Sequence, residues 1–149
     1  MCIEYKLTTD KKKKILDKIG REGIKVYKIV RHGDWGHYPI YRNKQTPYEE
    51  GVNTAQRIQI VSWDAVSYMS GFHFYMNKYA AKMTLKYEWE DMDDGYQYKI
   101  IECIVKKSWV TTIGEEYIFN DDGRYQDLTQ VIITKKAIFP VFAENKTCV

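Results

Sequence analysis

The segment Ser70-Gly71-Phe72-His73-Phe74-Tyr75 holds the chain's strongest candidate for chemistry, a histidine inside a short aromatic run. The helix-forming Asn77-Lys78-Tyr79-Ala80-Ala81-Lys82 follows at once. A strand fixes a side chain and the start of a helix adds donors, so this junction suits a ligand-contacting group. A second polar and aromatic cluster, Arg31-His32-Gly33-Asp34-Trp35-Gly36-His37, is punctuated by glycine. Its imidazoles, indole and guanidinium could stack on and hydrogen-bond a planar anionic ligand. His32, His37 and His73 could also hold zinc. Their wide spacing and the lack of an accompanying Cys or carboxylate motif favour two loop histidines and one half-buried strand histidine.

The remaining candidates read as structure. Asp91, Asp93 and Asp94 precede Gly95, but the ligand order and closing glutamate of a calcium loop are missing, so a solvated turn is expected. Asp121-Asp122-Gly123 reads as a hairpin turn. Glu102, Glu115 and Glu116 could do acid–base work, yet each falls where strand-edge carboxylates usually sit. No serine-elbow, phosphate-loop or zinc-helix motif occurs, and no cofactor is implied. Aromatic and basic residues adjoin at Tyr5-Lys6, Tyr27-Lys28 and Lys107 to Trp109, where bases could stack, but a chain with 13 Tyr produces such neighbours by chance.

These residues need elements to position them. Thr8 or Thr9 can cap a helix running through Lys18, with Gly20 as its stop. Ile24–Val30 reads as a long strand and Tyr38–Tyr41 as a peripheral piece marked by Pro39. Arg42–Ala55 reads as a polar connector, Arg57–Ser62 as a strand and Asp64–Met69 as a turn or short helical piece. Gly71–Tyr75 is a strand and Asn77–Tyr87 a helix. Tyr96–Lys106, Glu115–Phe119 and Thr129–Lys135 are strands, and Ala137–Phe142 extends their sheet. Strands clustered late and helices placed early and mid-chain give an α+β class. The expected architecture is a mainly antiparallel, strongly curved, split-barrel-like sheet with an N-terminal helix and one mid-chain helix.

Length bounds the rest. At 149 residues the chain reads as a single domain, with residues 1–22 a helical segment packed on it. Its net charge of +3, from 23 basic and 20 acidic residues, is too balanced for a nucleic-acid footprint. The run Lys11–Lys14 reads as the solvated side of a small amphipathic helix. Cys2, Cys103 and Cys148 have neither clamp spacing nor an even count, so neither a metal clamp nor a disulfide framework is expected. No membrane-spanning stretch or signal peptide is visible, which points to a soluble, cytoplasmic protein with no membrane partner.

The order of pieces resembles the ADP-ribosyltransferase fold of the diphtheria-toxin and poly-ADP-ribose polymerase type. A strand ends in His32-Gly33, Gly71-Phe72-His73-Phe74 leads into a helix with Tyr79-Ala80-Ala81, and a late strand carries Gln130-Val131-Ile132-Ile133. The resemblance covers most of residues 24–139 and implies that His32 holds a ribose. It departs where His73 replaces a stacking tyrosine and Gln130 replaces the catalytic glutamate. An amide lacks the charge that an oxocarbenium-like centre needs, so a nucleotide-shaped pocket without transferase chemistry is implied. The Met1-Cys2 start and the Gly-Phe-His-x-Phe element also resemble a group of small phage and prophage proteins.

The expectation is therefore a non-catalytic, phage-type binding protein. It would sequester a nucleotide or ADP-ribose-like immune signal and so antagonise host defence. The expected pocket is His32, Trp35, Phe72, His73 and Tyr75, with Arg31, Arg57 or Arg124 meeting phosphates. It requires His32 and His73 to share one cleft. The alternatives are an ADP-ribosyl-handling enzyme using Glu102 or Glu115, and an inhibitor whose aromatic surface binds a host defence protein. A homo-oligomer is left open.

Overall fold

Thr8 opens the first helix, its side chain accepting from the Lys11 amide at 3.4 Å. That helix, α1 (Thr9–Asp17), follows a two-residue strand β1 (Tyr5–Lys6) in a computed structural model that describes residues 3, 5–33, 36–40, 47–55, 60–63, 66–90 and 95–141. The chain continues through β2 (Ile24–Gly33), β3 (Gly36–Tyr38), β4 (Gly51–Thr54), β5 (Ile60–Trp63), β6 (Val66–Met69) and β7 (Phe72–Tyr75). Helix α2 (Lys78–Thr84) follows, then β8 (Gln97–Val105), β9 (Val110–Phe119), β10 (Tyr125–Thr134) and β11 (Lys136–Phe139).

Eight strands form an open antiparallel sheet in the order β1-β9-β10-β7-β2-β8-β11-β4, with β3 beside β2. β5 and β6 pair separately as a hairpin. The α+β class, the antiparallel sheet and the two helices are as expected. Several segments differ. Residues 31–33 and 36–37, read as a loop, are strand: His32 lies in β2 and pairs with His37 in β3, so neither is a loop histidine. Val66–Met69 is a strand and not a turn or helical piece, because Val66 pairs with Trp63 and Met69 with Ile60. The polar connector contains β4, held by β11 from Thr54↔Lys136 to Gly51↔Phe139. Asp91, Asp93, Asp94, Cys2 and Cys148 lie outside the described residues.

The sheet bends on itself at one corner. β8 reaches β9 through a single 3₁₀ turn (Lys107–Trp109), and β10 reaches β11 through Lys135 alone. The Lys135 amide donates to the Trp109 carbonyl at 2.8 Å, so the two crossings turn together. As a result Phe139 of β11 lies 5.7 Å from Phe72 and 6.4 Å from Phe74 of β7, ring to ring, although β2 and β8 separate them in the sheet. The enclosed face holds Val26, Val30, Phe74, Ile101, Cys103, Val105, Ile113, Ile132 and Phe139, with Leu7, Ile15 and Leu16 of the α1 region packed against it. α2 covers the other face, over Ile29, Tyr75, Ile118, Val131 and Ile133.

Opposite the corner the sheet is nearly divided. β2 and β7 share one residue pair, Tyr27↔Tyr75. The Lys28 ammonium crosses this seam, donating to the His73 carbonyl at 3.0 Å and lying 5.3 Å from the Phe74 ring centroid. Desolvation lowers the Lys28 pKa to about 8, partly opposed by Cys103. Gly71, at the mouth of β7, is required by close approach: a Cβ there would stand 2.4 Å from the Thr134 carbonyl oxygen. After α2 the helix widens into a π-turn (Leu85–Trp89), with the Glu90 amide bonded to the Leu85 carbonyl at 2.7 Å.

Candidate binding surface

Strand alternation separates the two histidines meant to share a cleft. His73 pairs with Ile133 and sits two residues from Tyr75, so it projects to the face that α2 covers. β2 keeps an unbroken register with β8, so His32 projects with Val26 and Val30 to the enclosed face. The side chains therefore leave the sheet on opposite sides. Burial lowers the His73 pKa to about 3, with the Lys28 charge adding to the effect. His32 instead meets His37 across the β2–β3 ladder, ring centroids 5.5 Å apart.

The other expected site residues scatter. Phe72 is partly buried against the core, edge-on to Tyr48 at 6.1 Å. Tyr75 is 3% exposed, and its hydroxyl accepts from Thr84 Oγ1 at 3.1 Å and bonds Glu116. Burial, reinforced by Glu116, raises its pKa. Arg31 is buried at 5% exposure, with Nε donating to the Pro39 carbonyl at 2.9 Å. Its guanidinium lies 4.7 Å from the Tyr96 ring and 5.7 Å from the Tyr38 ring, a cation held between two aromatic faces. Arg124 is exposed on the β9–β10 turn. Trp35 and Arg57 lie outside the described residues. Gln130 is exposed on β10, paired with Glu115.

The glutamates also sort differently from the sequence reading. Glu116 is 5% exposed beneath α2, bonded to Tyr75, and so is no strand-edge carboxylate. Glu102 is exposed and pairs with Lys25 at 3.9 Å. The alternation of β9 makes the difference, turning Glu116 inward with Gly114 and Ile118 while Glu115 faces the opposite side.

The outer half of the β9–β10 hairpin is where aromatic rings converge. Asn120 shapes the turn: its Oδ1 accepts from the amides of Asp122 and Arg124, both at 3.0 Å, and its carbonyl accepts from Gly123. That turn sets Tyr125 opposite Phe119, and a bulge near Gln126 then sets Leu128 opposite Tyr117. β1 adds Tyr5 opposite Glu115. Ring centroids then run Tyr5–Tyr117 at 6.0 Å, Tyr117–Tyr125 at 6.0 Å, Tyr125–Phe119 at 5.0 Å and Phe119–Tyr87 at 5.3 Å. Tyr5, Tyr125 and Leu128 are each about half exposed. Among the described residues, Tyr5, Tyr79, Tyr125 and Leu128 make up four of the seven large apolar side chains that are exposed.

The Tyr5, Tyr117 and Tyr87 phenols are tied into the fold, while the Tyr5 and Tyr125 rings stay about half exposed. Tyr5 and Tyr117 hydroxyls share a 3.1 Å hydrogen bond. Tyr87 donates to the Asp121 carbonyl at 3.1 Å and Tyr79 to the Asp121 carboxylate at 2.6 Å. That last bond, with smaller desolvation and charge effects, pushes the Tyr79 phenol up to about 12. Beside the rings lies an open groove of about 480 Å³, bordered by Asn77, Tyr79, Tyr117, Asp127 and Leu128. Rings fixed in this way supply contact area with little ordering left to do. The alternation of Tyr117 and Phe119 before an Asn-Asp-Asp-Gly turn was the available sequence signal; the arrival of Tyr5 and Tyr87 had none.

Comparison with protein-family models, curated proteins and solved structures returns no match for this chain.

Proposed function

We propose that this protein is a non-catalytic binding protein that captures another protein on the tyrosine face of its β9–β10 hairpin. The observation that carries this reading is the unbroken chain of five rings from Tyr5 to Tyr87, flanked by exposed Leu128. Tyrosine gives large amphipathic contact area at low entropy cost, and interface cores are enriched in it. The resemblance to small phage proteins supplies the partner class, a host defence protein. Nucleotide capture would need Arg31, His32, His73 and Tyr75 to converge, and their opposite projections favour the protein partner instead. The carboxylates offered for an enzyme stand on separate strands, Glu102 on β8 beside Lys25 and Glu115 on β9 between Gln130 and Tyr5.

The test pairs a quantitative pull-down from bacterial lysate with calorimetry against ADP-ribose and NAD. The wild type should retain one stoichiometric protein. The triple variant Tyr117→Ala, Tyr125→Ala, Leu128→Asp should lose it by about 2 kcal/mol or more of binding energy, the loss expected of a hot spot. Its far-UV circular dichroism should be unchanged. Equal retention by the variant would place the contact elsewhere. Tight binding of ADP-ribose with no protein partner would return the function to nucleotide capture.

A further inference from the structure

The bent corner gathers positive charge from segments far apart in sequence. Lys106 and Lys107 come from the β8–β9 turn, Lys135 and Lys136 from the β10–β11 junction, and Lys18 and Arg21 from the end of α1 and its loop. Three contacts fix their proximity. Lys107 Nζ lies 3.4 Å from Asp17 at the end of α1, Lys135 is bonded to the Trp109 carbonyl at 2.8 Å, and Lys106 Nζ lies 5.7 Å from the Trp109 ring. Gly23, two residues beyond Arg21, packs against the Val105 carbonyl.

Against these six cations stand Asp17 and Glu22, so the corner carries more positive charge than the whole chain's net +3. Among the described residues only Lys107 of the six has an ion pair. Five of the six are exposed. Like charges held together repel, and a fold that collects them on one rigid corner has formed a polyanion-complementary surface. Its cations are mostly lysines, compact point charges that suit phosphate oxygens without selecting a base. Trp109 is only partly exposed under Lys106, so stacking on bases is not the main contact.

We infer that this corner binds the phosphate backbone of a nucleic acid, independently of base sequence, at a surface separate from the tyrosine face. The overall charge balance conceals it because acidic residues such as Asp121, Asp122 and Asp127 lie on the far hairpin.

The test is fluorescence anisotropy with labelled mixed-sequence duplex and single strand, about 20 nucleotides long, titrated from about 50 mM KCl upward. Binding should weaken with a log–log salt slope of about −3 or steeper, near one unit per phosphate contact. Lys106→Glu, Lys107→Glu, Lys135→Glu should weaken it at least about tenfold and flatten the slope by roughly the contacts removed. Lys78→Glu, Lys82→Glu on α2 should leave both unchanged, and circular dichroism should report both variants folded. Absence of binding at the lowest salt would overturn the proposal. Equal weakening by the two variants would also do so, as would binding to polyglutamate or phosphatidylserine vesicles but not to either nucleic acid.

Discussion

His73 is a half-buried base that the fold keeps neutral well below the usual histidine range. Its folded pKa of about 3 lies below the ordinary 6.5, first through desolvation and then through the charge of Lys28. Between those values the unfolded chain takes up a proton that the folded chain refuses. The stability contributed is therefore present above pH 6.5 and is lost as pH falls towards 3, at up to about 1.4 kcal/mol per pH unit for one proton. Denaturant titrations of wild type and His73→Gln from neutral pH to pH 4 should show a shallower acid loss in the variant. Parallel curves would mean that His73 keeps an ordinary pKa. The sequence revealed this histidine's strand and half-buried character, but not its direction. Which face it takes depends on Ile133 and Tyr75, and no local pattern states that Gly71–Tyr75 pairs with β10. The same blindness set Glu116 beside Glu115 as an equal, when alternation buries one and not the other.

At the scale of elements, β7 is a short strand made possible by its first neighbour. A Cβ at Gly71 would meet the Thr134 carbonyl at 2.4 Å, so Gly71→Ala must push β7 from β10 or distort the ladder from Thr134↔Phe72 onward. We expect a loss of about 2 kcal/mol or more in urea unfolding, larger than the usual surface substitution. A loss under about 0.5 kcal/mol would show that the approach relaxes freely. Elements with strong local signals were legible: the alternation of β2 and β8, the Thr8 cap and the Asn120 turn. β4 was hidden because Gly51-Val52-Asn53-Thr54 has little apolar content, and β11 alone recruits it. β6 was hidden because its four residues pair only with β5. The corner had no signature beyond a few lysines, since its bend comes from two crossings that the chain makes far apart.

Taken whole, the molecule is two hydrogen-bonded halves, β1-β9-β10-β7 and β3 with β2-β8-β11-β4, meeting at a seam of one residue pair. Side chains hold what the ladder does not: Lys28 reaches the His73 carbonyl, and α2 lies across Val131 and Ile29 on opposite sides of the division. Hydrogen exchange should resolve this asymmetry within one strand. Over Lys28–Val30, amides directed at β8 should outlast those directed across the seam, because only the former sit in a continuous ladder. Equal protection on both edges would show that the two halves are joined more tightly than their pairing implies.

That seam is no domain boundary, and the reason has a consequence in time. The chain passes from one half to the other repeatedly, from β1 to β2, from β4 by way of the β5–β6 hairpin to β7, from β7 to β8, from β8 to β9 and from β10 to β11. During synthesis β1 finds no partner until Glu115 has left the ribosome, and β2 waits for β8. The β2–β3, β5–β6 and β9–β10 hairpins can close locally, but the ladders that join them into the sheet wait for distant strands. Folding is thus paced by distant pairings, a topology that places it among the slower small domains, and the nascent N-terminal half must persist with its apolar strands unsatisfied.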